Sequence, residues 1–246
     1  MALRELTADV LAEATLRRHR ADPVVPGGGG PAGNARLTAT TGLVLLVLFL
    51  AELVTLLDVS GLIGWHVAIG VLLVPPALLK TATTGWRIAR YYGGRRAYRL
   101  SGPPPMLLRW LGPLVVLSTL GLLGSGLALI ALGPSASRST LLDALGQQVD
   151  AVTVHQAFFV GWAAVTGLHT LARLGPALAL AGRPSGVPGE RRRLAALIMT
   201  LVIAVIAAIL LLGTANPWRH AGHRHHAERP AAAAERVPGG TAGPQR

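Results

Sequence analysis

Five stretches of the chain, 37–57, 62–81, 111–132, 152–171 and 194–213, stay apolar over roughly the 20 residues that a helix needs to cross a bilayer. Each predicts a membrane-spanning α-helix. The first begins too far from Met1, and lacks a small-residue cleavage site behind it, to read as a signal peptide. Ahead of it, Leu3, Leu6, Val10 and Leu11 recur at helical spacing, which suits a short helix on the membrane surface or a solvated one. Residues 23–34, with four consecutive glycines, predict a flexible tether. The chain thus divides into an N-terminal tail over 1–36, a five-span membrane domain over 37–213 and a C-terminal tail over 214–246 that is disordered by composition.

Composition supports this division. Of 246 residues, 51% are hydrophobic and 14% charged, against about 25% charged in an ordinary soluble domain. Cysteine is absent, which removes disulfides, thiolate metal sites, iron–sulfur clusters and cysteine nucleophiles. Aromatic residues are sparse and the basic residues flank the apolar runs, so the net charge of +12 belongs to membrane topology and not to nucleic-acid binding. Of the 23 basic residues, 22 are arginine and one is Lys80, a skew typical of a GC-rich bacterial genome.

Arginines are placed unevenly. The N-terminal tail carries five, the loop between the second and third spans six, and the loop between the fourth and fifth five. The other two loops carry only Arg138. By the positive-inside rule, the arginine-rich end faces the cytoplasm of a bacterial cell. Five spans then put the C-terminus outside, although the five arginines of that tail run against the rule.

Ionisable groups inside the spans are few, and such groups are functional candidates by default. They are Glu52, His66, Lys80, His155 and His169. His66 and Lys80 are 14 residues apart, as are His155 and His169. Fourteen residues are nearly four turns, so each pair shares one helix face over about 21 Å. His66 lies five residues beyond Gly61 and His155 five beyond Asp150, which places the two at matching depth near the outer surface. Lys80 and His169 match near the inner one. A planar macrocycle between two helices takes one axial imidazole from each. Gly70, Gly167, Gly121, Gly124, Ser125 and Gly126 provide small positions beside them, as ordinary helix packing also does.

With this pattern the chain resembles the transmembrane b-type cytochromes: the b subunits of membrane formate dehydrogenases and hydrogenases, and bacterial cytochrome b561 proteins. The similarity covers roughly residues 40–175 and includes Gly64, Trp65, His66, Val67, Ala68, Ile69 and Gly70, then Lys80, His155 and His169. It implies a four-helix cytochrome b-like bundle, here with a fifth transmembrane helix. It also implies haem b held by His66 and His155, and His169 as one ligand of an inner haem or part of a quinone-proximal site. Lys80 stands where a second inner histidine would be expected.

Each residue has a plainer reading. His66 beside Trp65 suits an aromatic belt. Lys80 can snorkel, pair with a haem propionate or quinone oxygen, or ligate as a deprotonated amine. Pro75 and Pro76 can bend the helix between His66 and Lys80. Glu52 can relay protons, support a haem histidine, or bond another helix. His220, His223, His225 and His226 in the tail suit zinc or copper. No nucleophile constellation, phosphate loop or ATPase motif is present. The expected function is electron transfer between the quinone pool and a redox partner outside the membrane. The alternatives are a haem-free transporter or metal-handling protein, and a structural subunit without cofactor.

Overall fold

In the computed structural model, which describes residues 3–17, 22–103, 106–144, 146–182 and 186–218, the chain is almost wholly helical. The order is α1 (Leu3–Ala14), α2 (Gly30–Thr55), a 3-10 turn (Leu56–Asp58), α3 (Val59–Tyr92), α4 (Arg96–Leu100), α5 (Met106–Ser137), a β-ribbon, α6 (Ala151–Gly182) and α7 (Glu190–Leu211). Among the described residues, four helical stretches are long and apolar enough to cross a membrane: Gly30–Tyr92, Leu108–Ser137, Ala151–Gly182 and Glu190–Leu211.

The first of these, 63 residues long, would extend about 95 Å if straight, three times the hydrocarbon thickness. It folds back at the 3-10 turn instead. There Asp58 caps α3, its carboxylate accepting hydrogen bonds from Gly61 N at 2.9 Å and Ser60 Oγ at 2.8 Å. The arms α2 and α3 then run antiparallel. Asn34 Nδ2 donates to Thr83 O at 3.0 Å, and Thr38 Oγ1 to Thr83 Oγ1 at 3.0 Å. Pro75 and Pro76 deprive the carbonyls of Val71 and Leu72 of their helical donors, yet α3 remains helical throughout. Packing supports it there, because Leu73 and Ala77 are buried against Leu45 of α2.

Four helices form a square. α2 packs on α3 and α6, and α5 packs on the same two, so α3 and α6 occupy opposite corners. α7 lies outside, against α3 and α2. The inner faces mix small residues, including Thr41, Ala172, Ala204 and Ala208, with Leu45, Val71, Leu73 and Trp162, while Val47, Leu50, Val160, Leu171, Ile209 and Leu210 point outward. That is the distribution of a bundle solvated by lipid, in which small residues let helix backbones approach.

Two expectations change. The glycine-rich segment is not a loose tether, since its last residues already belong to α2 and its turn is docked. Arg87 holds Asp22 through two hydrogen bonds of 2.6 and 3.2 Å. Gly29 adopts φ +76°, and a Cβ there would meet Val187 Cγ1 at 2.6 Å. Only glycine allows this contact between the start of α2 and the approach to α7. α1 does not stand apart from the bundle, although Leu11 stays exposed. Val10 packs on buried Leu108, Leu111 and Ala172 of α5 and α6. A short antiparallel ribbon, β1 (Leu142–Ala144) with β2 (Gln147–Val149), joins α5 to α6 and has no counterpart in the sequence reading.

Candidate functional site

The histidines of α3 and α6 face each other across the diagonal of the square. At the end away from the arginines, the rings of His66 and His155 have centroids 6.3 Å apart and planes at 84°. With a metal–nitrogen bond of about 2.0 Å and about 1.15 Å from nitrogen to ring centre, two imidazoles on opposite sides of one metal have centroids about 6.3 Å apart. An edge-to-face aromatic pair spans the same range, so spacing alone does not distinguish the two.

The neighbours of the rings carry more information. Thr55 Oγ1 lies 3.1 Å from His66 Nδ1 and 2.6 Å from the carbonyl of Glu52. A hydroxyl has one proton, and a carbonyl can only accept it. Where that proton goes to Glu52 O, Thr55 accepts from His66 Nδ1–H. Glu52 Oε1 lies 2.8 Å from the same Nδ1. At the other ring, Ser125 Oγ lies 3.0 Å from Leu122 O and 2.9 Å from His155 Nδ1, which allows the same assignment with Ser125 as acceptor. In that assignment both Nδ1 atoms donate. A ring in that tautomer leaves Nε2 with a bare lone pair, the state in which histidine binds a metal.

Small residues flank the pair. A Cβ on Gly126 would come within 3.2 Å of His155 Cε1, one on Gly70 would sit 3.9 Å from Glu52 Oε1, and one on Gly124 would meet nothing within 4 Å. Grooves of about 300 and 380 Å³ lie on the lipid-facing side of α7 and beside the docked glycine turn, and neither includes a histidine. Among the described residues, no group of three histidine, cysteine or acidic side chains is arranged to hold a metal ion. Two imidazoles are fewer than the three or four protein ligands of a zinc site.

At the arginine-rich end the square presents Lys80 from α3 and His169 from α6. Lys80 does not reach out past its helix. Its Nζ turns beneath α2 and donates to Thr38 O at 3.3 Å. Gly42 makes the room, because a Cβ there would stand 2.7 Å from Nζ. His169 Nδ1 is buried with no hydrogen-bond partner, as is Thr166 Oγ1 one turn before it. Glu52 Oε2 is likewise buried and unpartnered near the other end.

Outside the spans, Asp150 caps α6 five residues before His155. Its carboxylate accepts from Thr153 N at 2.7 Å and Thr153 Oγ1 at 2.8 Å, which holds its pKa below the ordinary 3.8. His220, His223, His225 and His226 lie outside the described residues. Thr55 and Ser125 were not singled out as partners of the histidines. Ser125 stands in a run of small residues that reads as packing, and Thr55 is brought to His66 only by the reversal at 56–58.

Comparison with models of known protein families, with curated proteins and with solved structures finds no match.

Proposed function

We propose that the protein is a membrane electron-transfer protein that holds one haem b between His66 and His155. The observation that carries this reading is the oxygen acceptor beside each Nδ1, which favours the tautomer with a free Nε2 lone pair, on two rings whose centroids lie 6.3 Å apart. Haem iron supplies one-electron chemistry when bound. The protein's part is to hold the two imidazoles in one tautomer, through Thr55, Glu52 and Ser125, and to surround them with apolar helices. Oriented partners of this kind typically change metal affinity or activity by about 10- to 100-fold.

In this reading α2 and α3 each cross the membrane, giving five crossings with α5, α6 and α7. The arginine-rich end is cytoplasmic, and the histidine pair lies toward the outer face. Electrons pass between quinone in the bilayer and a redox partner outside. α7 is a peripheral fifth span added to a four-helix cytochrome-like core.

Expression with ample haem supply should give red membranes with a Soret band and about one non-covalent haem b per chain. His66→Ala and His155→Ala should each abolish the low-spin spectrum. The double change should add little, because members of one unit are non-additive. His169→Ala should leave the spectrum in place, since about 21 Å of helix separates the two levels. Colourless protein would refute the haem reading. A spectrum lost in His169→Ala and kept in His66→Ala would move the cofactor to the other end.

A further inference from the structure

The other end of the diagonal carries groups that the electron-transfer reading leaves unused. Lys80, His169 and Thr166 bring polar groups into the bundle, and few of these find partners. The ammonium of Lys80 has three protons and one acceptor, the Thr38 carbonyl at 3.3 Å. His169 Nδ1 and Thr166 Oγ1 are buried without any. Residues 166 and 169 are three apart on α6 and so share a face. The charged groups that bear on His169 are Lys80 and Arg173, both basic, and Arg173 also bears on Lys80. A cluster of this kind in a low-dielectric interior is costly unless an anion completes it.

Depth narrows the choice. Lys80 is 22 residues beyond the Asp58 cap, or about 33 Å along α3, close to the thickness of the hydrocarbon core. The helix continues to Tyr92, so the cluster sits near headgroup level with helical walls beyond it. The propionates of a haem held by His66 and His155, about 21 Å away, do not reach it. We propose that Lys80, His169 and Thr166 form an oxyanion site for a phosphate group, supplied by an anionic phospholipid headgroup of the adjacent leaflet or by free phosphate. Gly42 is the positioning residue, because its missing Cβ is what admits the ammonium. The site is independent of haem binding.

The test uses the full chain in phosphatidylcholine nanodiscs, with thermal unfolding followed by tryptophan fluorescence. One arm replaces about a fifth of the lipid with phosphatidylglycerol. The other adds inorganic phosphate against sodium chloride of equal ionic strength. Occupancy at about 100 times Kd should raise the apparent Tm by roughly 5–10 °C. A rise with phosphatidylglycerol alone assigns the headgroup, and one with phosphate assigns the free ion. The rise should vanish in Lys80→Met and in Thr166→Val, and should be weakened in Gly42→Ala, which keeps every polar group but crowds the ammonium. The surface arginines remain in all three variants, so an equal rise in them would overturn the site by showing a general charge effect. No rise in either arm of the wild type would overturn it as well. Should Lys80→Met fail to fold, Gly42→Ala and Thr166→Val decide.

Discussion

Replacing Ser125 with alanine tests the tautomer reasoning at its most exposed point. In the proposed tautomer, the Ser125 hydroxyl gives its proton to Leu122 O and receives that of His155 Nδ1, 2.9 Å away. Alanine removes that acceptor. The imidazole of the haem-free variant is then free to change tautomer or turn toward another partner, and ligation must draw it back. Leaving one buried polar group unsatisfied costs about 1–3 kcal/mol. At about 1.4 kcal/mol per decade, the expected loss of haem affinity is roughly 5- to 150-fold. Purified haem-free protein titrated with haem, followed at the Soret band, measures this Kd directly. Ser118→Ala is the control, because Ser118 also bonds a carbonyl three residues back, Val115 O at 3.2 Å. Unfolding midpoints of both variants should stay close to one another. If Ser125→Ala binds haem within twofold of wild type, or if Ser118→Ala weakens binding as much, the hydroxyl does not set the state of His155.

Reporters fused after Gly94 and after Thr140 should report cytoplasmic and external locations respectively, and the reverse result would invert the orientation drawn from the arginines. Gly121→Ala should destabilise the α5–α6 contact by about 1–3 kcal/mol through overpacking, since its Cβ would overlap the ring of Phe158. Gly124→Ala, which meets nothing within 4 Å, should be neutral or slightly stabilising in chemical denaturation, and equal effects of the two would refute the packing assignment. The Asp150 cap should stabilise α6 fully at neutral pH. Because the folded-state pKa lies below the ordinary 3.8, that contribution fades only as pH falls through the carboxylate range. Asp150→Asn should flatten the fall between about pH 5 and pH 2, and an unchanged pH profile would show that the cap does not matter to stability.

Much of the architecture is written locally. Twenty-residue apolar runs dictate helices in a bilayer because a helix satisfies its backbone hydrogen bonds within one segment, whereas strands do so only in a closed barrel. The 14-residue spacing of His66 with Lys80, and of His155 with His169, places each pair on one helix face through helical geometry alone. Neighbour relations are a different matter, since they depend on which helices share a corner. The apposition of His66 and His155 needs α3 and α6 to stand diagonally in the square, and no one-dimensional pattern states that. The support from Thr55 exists because α2 reverses at Asp58. The turning of Lys80 beneath α2 depends on a missing Cβ at Gly42, 38 residues earlier in the chain. The glycines of 27–30, read as flexible from composition, hold a docked turn because Val187, Pro188 and Arg193 approach them from the far end of the sequence. Composition reports how freely a segment can bend, and only the fold decides what it bends against.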